Sequence, residues 1–271
     1  MTLITKDNVQ LFDKSWLVEE PIANLVLIHG MGEHIMRYEY WASLWNQAKI
    51  NVFGVDFRGH GQSHGKRGHI NNYDELIGDA AIIFQKAKNY NPDIPIILYG
   101  HSMGGNVVLN ILKHNSFSPD LAIVTSPWIK LAFQPSKKEL LLAKIGNKLL
   151  PSFSQSTKVD TNGISQDPEV VALYQQDPLI HDQITARMFH EVYTKGLTLL
   201  EGFKAPCPLM LIHGDKDRFT SCDASKEFVK RDAAINIKIY PSGFHELHQE
   251  PFKKDVFIDL FEWVYKNLPK K

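Results

Sequence analysis

Six short apolar segments, separated by helical patterns, restrict the possible folds of this chain more than any other feature of its sequence. The apolar segments have four to six residues each and lie at 23–28, 51–55, 95–99, 121–124, 207–212 and 235–240. The helical patterns lie near 40–48, at 73–90, directly after residue 102, near 222–230 and at 252–267. Short apolar strands that alternate with helices are typical of a mostly parallel sheet covered by helices on both faces. The sequence therefore predicts an α/β fold.

Two amphipathic strands are predicted before this pattern begins, at residues 3–5 and 9–12. The full length of 271 residues suits one large α/β domain with a substantial core and room for an insertion.

The alternation fails between residues 127 and 184. This segment is richer in Ser, Gln, Asn and Lys and has helical patches but no convincing buried strand. It is too long for a simple loop, and ligands of open α/β sheets bind at the carboxyl ends of the strands. We therefore expect a mainly helical cap at 127–184, inserted between two parts of the core at 1–126 and 185–271.

The balance of charged residues and the number of cysteines indicate which kinds of partner and which cellular compartment to expect. Basic and acidic residues number 30 each, so the basic excess typical of nucleic-acid-binding proteins is absent. Cys207 and Cys222 predict two free thiols in a reducing compartment. No signal-peptide pattern opens the sequence, and no apolar run reaches the roughly 18 residues of a membrane span. We expect a cytoplasmic protein, and the sequence favours no particular oligomeric state.

A serine between glycines follows the third apolar segment, in the motif Gly100-His101-Ser102-Met103-Gly104. This pattern, between a strand and a helix, is typical of the sharp turn that presents a nucleophilic serine. Small residues permit the tight turn, and the helix N-terminus offers backbone N–H groups to a developing oxyanion. The alternative is a purely structural turn, but the strand–turn–helix context favours Ser102 as a nucleophile.

A serine nucleophile needs a histidine base and an acid that orients it, and in this fold they follow the serine in the order acid, then histidine. Asp215 and Asp217 follow the apolar segment 207–212, and His245 and His248 follow the last one. We choose Asp217 and His245, while spacing alone leaves Asp215 and His248 as alternatives.

Across nearly its whole length the sequence resembles the monoacylglycerol lipase and lysophospholipase group of α/β-hydrolases, close to the serine aminopeptidase S33 grouping. The motifs that carry the resemblance are His29-Gly30-Met31-Gly32-Glu33-His34 with Arg37-Tyr38, Asp56-x-Arg58-Gly59-His60-Gly61-x-Ser63, Gly100 to Gly105, Asp177-Pro178-Leu179, Gly214-x-x-Asp217-Arg218, and Tyr240 to His245 with His248.

The resemblance implies an α/β-hydrolase fold and a cofactor-independent serine esterase that cleaves a monoacylglycerol through an acyl-enzyme on Ser102. It implies Asp217 as the acid, His245 as the base, and the backbone N–H groups of Met31 and Met103 as oxyanion donors. A lysophospholipase or a short-chain carboxylesterase with the same triad is the alternative. A binding protein that keeps only the fold would be expected to have a broken triad.

The resemblance also places Glu33, Arg37 and His248 near the alcohol end of the substrate. The alternative for Glu33 and Arg37 is that they pair to hold their loop, and both interpretations are compatible.

The 12 histidines raise the question of a metal site. His60, His64 and His69 are close in sequence, but their spacing matches no common ligand motif, so no metal is predicted. His29 and His213 each follow a buried strand and are interpreted as structural groups. His101 adjoins the nucleophile but is not expected to act as the base, and Asp56 and Arg58 are expected to brace their loop.

The segment 138–150 in the cap combines an apolar side with several lysines. It could contact a membrane or micelle and admit lipid. We favour the alternative, in which its apolar side packs on the core or lines the substrate pocket.

Overall fold

The computed structural model describes residues 2–269, in which an eight-stranded sheet carries the fold and a two-stranded ribbon is added to it. The strands are β1 Thr2–Ile4, β2 Gln10–Trp16, β3 Ala23–Ile28, β4 Ile50–Val55, β5 Ile96–His101, β6 Leu121–Thr125, β7 Ser154–Ser156, β8 Gln183–Thr185, β9 Leu209–Gly214 and β10 Ile235–Tyr240.

Eight α-helices are found among the described residues. They are α1 Glu39–Gln47, α2 Asp74–Tyr90, α3 Met103–His114, α4 Lys137–Leu149, α5 Pro168–Gln176, α6 Ala186–Thr198, α7 Cys222–Phe228 and α8 Lys253–Asn267. Short 3-10 helices occupy Ile35–Tyr38, Thr161–Gly163, Val229–Arg231 and Leu247–Gln249.

The main sheet has the order β1-β2-β4-β3-β5-β6-β9-β10. The pairs β1–β2 and β2–β4 are antiparallel, and every other neighbouring pair is parallel. The predicted α/β class with a mostly parallel sheet is therefore confirmed. Because the strands after β2 run in one direction, their carboxyl ends share one edge, where the loops after β3, β5, β9 and β10 meet.

Helices cover both faces of this sheet, which explains why its inner strands are predominantly apolar. The side chains of α2 and α3 contribute to the core on one face, and those of α1 and α8 contribute to the core on the other. Every residue of β3, β4, β5, β6 and β9 is buried. The edge strand β10 pairs only with β9 and alternates between buried and more exposed residues, as a half-covered strand should.

The inserted segment after β6 contains two helices, α4 and α5, and the antiparallel ribbon of β7 and β8. Strand β8 spans Gln183–Thr185, so the boundary at residue 184 falls inside it. Helix α4 packs on α6, which in turn packs on α3 of the core. None of the helices within residues 2–269 is long and apolar enough to cross a membrane.

Candidate active site

Ser102 occupies a strained turn between β5 and α3. Its backbone has φ +52° and ψ −114°, which a non-glycine residue rarely adopts. The flanking glycines are required by close approach: a Cβ on Gly100 would lie 2.5 Å from the carbonyl oxygen of Gly104, and a Cβ on Gly104 would lie 2.2 Å from that of Ile28. The turn can be this tight because the residues two positions before and two positions after the serine have no side chains.

His245 and Asp217 form a short hydrogen bond. The Nδ1 atom of His245 lies 2.7 Å from Oδ2 of Asp217. Because the carboxylate can only accept, His245 carries its proton on Nδ1, and its Nε2 is free to accept a proton. His245 and Ser102 both line one cavity. The structure thus joins two residues of the predicted triad by a hydrogen bond and places the third, Ser102, on the same cavity as His245.

The Asp217 carboxylate is enclosed by hydrogen-bond donors. Its side chain is fully buried, and Oδ2 also receives the Thr220 hydroxyl at 2.8 Å and Nε2 of His213 at 3.0 Å. Oδ1 accepts the backbone N–H groups of Phe219 and Thr220. Burial acts to raise the pKa of Asp217, but the charge interaction with His245 and the bonds from His213 and His245 hold that pKa well below its usual value. Asp217 is therefore a carboxylate.

The pKa of His245 is raised above its ordinary value of 6.5. Burial acts to lower this pKa, but the charge of Asp217 and its hydrogen bond outweigh burial, and the charges of Glu246 and Glu33 add to the increase. The pKa of the neighbouring His101 is shifted in the opposite direction, because burial lowers it well below 6.5. Its Nδ1 bonds to the Thr125 hydroxyl at 2.8 Å.

Asp215 and His248, the alternative acid and base that the spacing left open, make different contacts. Asp215 is exposed and accepts the backbone N–H of Ser242 at 2.7 Å. His248 is buried, and its ring stacks on Tyr38 with the centroids 4.5 Å apart. Burial lowers the pKa of His248 to about 3. His248 is not among the residues that line the cavity.

The loop after β3 runs beside Ser102 and presents the backbone N–H of Met31. A Cβ on Gly30 would lie 3.2 Å from Cβ of Ser102. Within residues 2–269, the backbone N–H groups of Met31 and Met103 have no hydrogen-bond acceptor in the protein. Met103 begins α3, so its N–H is one of the donors that a helix leaves unpaired. Both groups are therefore available to an oxyanion.

His29 fixes the peptide unit that carries the Met31 N–H. The backbone N–H of Phe57 can only donate, and it lies 2.9 Å from Nε2 of His29, so Nε2 accepts and Nδ1 holds the proton. Nδ1–H then donates to the carbonyl oxygen of Gly30 at 2.7 Å. That carbonyl and the Met31 N–H belong to one planar peptide group. The buried histidine therefore orients a candidate oxyanion donor, a role that its position after a strand did not reveal.

Glu33, Arg37 and Glu246 form a buried charge network beside the cavity. Arg37 donates to Glu33 at 2.7 Å and makes two bonds of 2.7 Å to Glu246. Glu33 also accepts the backbone N–H of Gly30 at 2.6 Å and the hydroxyl of Tyr38 at 2.8 Å. Glu33 and Glu246 line the cavity. Two carboxylates share one guanidinium, so the network has a formal charge of −1.

Glu246 and His213 are site residues that the sequence reasoning missed or undervalued. Glu246 directly follows His245, which is the signal that could have found it, but its partner Arg37 lies 209 residues away. His213 was interpreted as structural, and both its ring nitrogens are indeed bonded, yet one of them contacts Asp217.

A cavity of about 890 Å³ extends from Ser102 under the inserted segment. Its apolar wall includes Leu131, Phe133, Leu142, Phe153, Val159 and Phe189. Its lining also includes the Glu33 and Glu246 carboxylates of the charge network. Among residues 2–269 no group of three metal-binding side chains is found, and His60 instead lies against the rings of His29 and His181.

Comparison with known proteins gives concordant matches. Residues 19–252 match the family model described as serine aminopeptidase, S33. A monoacylglycerol lipase of Mycolicibacterium smegmatis is 32% identical over 92% of this chain and 90% of its own length. An abhydrolase domain-containing protein of Dictyostelium discoideum is 34% identical over 98% of this chain, which spans only 29% of that protein.

The fold is also found among solved structures. The crystal structure of Paleococcus ferrophilus monoacylglycerol lipase matches 95% of this chain and 99% of its own, with a TM-score of 0.85 and 26% identity. The α/β-hydrolase fold expected from the motifs is thereby confirmed. Together with the family match over residues 19–252, these similarities establish that the chain belongs to the serine aminopeptidase S33 family of α/β-hydrolases.

Proposed function

We propose that this chain is a serine hydrolase that cleaves monoacylglycerol to fatty acid and glycerol through an acyl-enzyme on Ser102. The cavity carries the proposal, because its lining combines Ser102 with an apolar wall and with the carboxylates of Glu33 and Glu246. A single acyl chain suits the wall, and hydroxyl groups suit the carboxylates. Relatives named as monoacylglycerol lipases support this substrate.

In the proposed acylation step, Nε2 of His245 accepts the proton of the Ser102 hydroxyl as its oxygen attacks the ester carbonyl. The negative charge on the former carbonyl oxygen is stabilised by the backbone N–H groups of Met31 and Met103. Asp217 stabilises the imidazolium that forms. The imidazolium then gives its proton to the departing glycerol oxygen, and the acyl group remains on Ser102.

In the proposed deacylation step, water attacks the acyl-enzyme and His245 accepts its proton. The second tetrahedral intermediate is held by the same two N–H groups. As it collapses, the imidazolium of His245 returns the proton to the departing serine oxygen, which releases the fatty acid and restores Ser102. Glu33 and Glu246 face the alcohol end of the substrate in this scheme. Arg37 bonds to both carboxylates and fixes their positions. In this scheme the ion pair of Glu33 with Arg37 both holds the loop and keeps Glu33 at the alcohol end of the substrate.

Helix α4 is the proposed region of contact with a lipid surface. Leu141, Ile145 and Leu149 are 57%, 45% and 68% exposed, although the sequence favoured a packed apolar side. Leu142, by contrast, lines the cavity while remaining 56% exposed. An exposed apolar row beside lysines suits transient contact with a membrane or micelle that supplies the substrate. The reducing, cytoplasmic location predicted from the two cysteines stays a prediction.

The test is fatty-acid release from a medium-chain monoacylglycerol by the wild type and by Ser102→Ala. Release is expected from the wild type and at least about 10⁴-fold less from the variant. A fluorophosphonate probe reports separately whether Ser102 reacts in the folded protein. Labelling of the wild type without fatty-acid release would retain a serine hydrolase and exclude the monoacylglycerol substrate.

A further inference from the structure

Glu250 is a fully buried carboxylate that has no cationic partner among residues 2–269. Its Oε1 accepts the backbone N–H of Phe244 at 2.6 Å. Its Oε2 accepts the backbone N–H of Gln166 at 3.0 Å and the Gln166 side-chain amide at 3.4 Å. The Ser165 hydroxyl lies 3.3 Å from Oε2 and 3.1 Å from the carbonyl oxygen of Gln249, so these two acceptors share it. A buried carboxylate held only by neutral donors is costly, so such a group indicates a position where geometry matters more than stability.

The two segments that Glu250 joins also pair through their backbones. We call residues 163–166, which belong to the inserted segment, the strap. The N–H of His245 donates to the carbonyl of Gly163 at 3.4 Å, and that of Glu246 donates to the carbonyl of Ile164 at 2.9 Å. The side-chain amide of Gln166 donates to the carbonyl of Ser242 at 3.0 Å. The strap therefore lies along the loop that carries His245.

The core holds the same loop from the opposite side. The Ser126 hydroxyl donates to the carbonyl of His245 at 2.8 Å. The strap also approaches the loop of Asp217, since a Cβ on Gly163 would lie 3.0 Å from the Phe219 ring. The main chain of His245 is thus enclosed between Ser126 in the core and Gly163 in the strap.

We infer that Glu250 is a positioning residue that clamps the strap onto the His245 loop, so that the inserted segment holds the base in place as well as lining the cavity. The inference rests on the proposed role of His245. Phe244 gives its backbone N–H and Gln166 gives a backbone and a side-chain N–H to the same carboxylate, so the loss of that carboxylate weakens the hold on both segments together. His245 then approaches Asp217 less closely and accepts the Ser102 proton less effectively.

The pH dependence of activity reports this displacement. His245 is faced by the anionic groups Asp217, Glu246 and Glu33, and by His101 and His248, whose lowered pKa values keep them neutral. Loss of the clamp frees the main chains of His245 and Glu246 together, and the contact between His245 and Asp217 then lengthens. A longer contact with that carboxylate lowers the pKa of His245 toward 6.5, which moves the rising limb of the activity profile to lower pH.

The test uses Glu250→Gln, which keeps the shape of the side chain but turns one acceptor into a donor that faces N–H groups. Steady-state kinetics are measured with a long-chain monoacylglycerol and with p-nitrophenyl acetate, which does not need the acyl cavity. The expected result is the same loss of kcat on both substrates, about tenfold or more, with KM changed less than about twofold. The rising limb of the pH–activity profile should move to lower pH.

Two further variants separate positioning from folding. Ser165→Ala weakens the clamp from the strap side, and its loss of kcat should be less than additive with that of Glu250→Gln. Asp56→Asn is the matched control, because Asp56 is a buried carboxylate that accepts the backbone N–H groups of Ile35 and Gln62. It is expected to lower Tm and leave the pH limb unchanged.

An unchanged kcat in folded Glu250→Gln, or a loss confined to the long-chain substrate, would overturn the inference. If Glu250→Gln does not fold, Ser165→Ala with wild-type kcat and pH limb overturns it instead. If the wild type hydrolyses p-nitrophenyl acetate but no monoacylglycerol, the proposed substrate is refuted. The clamp is then tested by comparing the kcat of Glu250→Gln and wild type on p-nitrophenyl acetate alone.

Discussion

Nδ1 of His245 lies 2.7 Å from Oδ2 of Asp217, whereas Asp215, two residues earlier, is exposed and bonds to the backbone of Ser242. Both aspartates follow the same strand, and spacing did not choose between them. The turn after β9 directs one carboxylate into the sheet edge and the other into solvent. The two residues therefore form a matched pair for mutation.

Asp217→Asn is expected to lower kcat by about 10³ to 10⁴-fold, because the amide cannot stabilise the imidazolium that His245 becomes. Asp215→Asn should stay within about twofold of the wild type, since its carboxylate only caps a turn. Stopped assays of fatty-acid release, with circular dichroism as the folding control, measure both. The reverse order of effects would assign the acid to Asp215.

Glu246→Gln is expected to shift the pH profile of kcat/KM to lower pH. His245 must be neutral to accept the Ser102 proton, so activity rises with pH through the pKa of His245. That pKa is raised above 6.5 by Asp217 first and by Glu246 and Glu33 in addition. Removal of one negative charge lowers it. Glu262→Gln, an exposed change on α8, is the control, and an unmoved limb in Glu246→Gln would contradict the prediction.

His29 can be tested with two variants that each keep one of its hydrogen bonds. Asn reproduces the donor near Nδ1 that holds Gly30, and Gln reproduces the acceptor near Nε2 that holds Phe57. His29→Gln should therefore lose more kcat than His29→Asn, by about tenfold, with little change in KM. Affinity for a boronic acid that mimics the tetrahedral intermediate should fall in parallel with kcat. Equal losses in the two variants would show that the Gly30 contact is not the relevant one.

Leu149→Glu is expected to weaken binding to vesicles that contain anionic lipid, because it places a charge in the exposed apolar row of α4. Turnover of p-nitrophenyl acetate should be unchanged, since Leu149 does not line the cavity. Leu173→Glu on α5 is the matched control, because Leu173 is 70% exposed and Leu149 is 68% exposed. Co-sedimentation measures binding, and equal loss in both variants would argue against a specific role for α4.

The central sheet could be predicted from the sequence because its strands are local, apolar and covered on both faces. Residues 23–28 and 235–240 were assigned with the bounds that the structure has. Ribbon strands β7 and β8 could not be predicted, because three polar or mixed residues each carry no periodic signal, and their pairing joins residues about 30 positions apart.

The nucleophile of the candidate site could also be predicted from a short stretch of sequence, because a Gly-x-Ser-x-Gly turn needs its glycines within two residues of the serine. The sequence by itself thus determined the α/β fold, the family and the position of the strained serine. The family resemblance already favoured Asp217 over Asp215, and the tertiary structure supplied the physical reason, since Asp217 bonds to His245 and Asp215 bonds to the backbone of Ser242. Only the tertiary structure placed Glu246 on Arg37 and set Glu250 between the strap and the His245 loop. The physical reason is that side-chain hydrogen bonds act over about 3 Å in space and between residues that can be far apart in the chain.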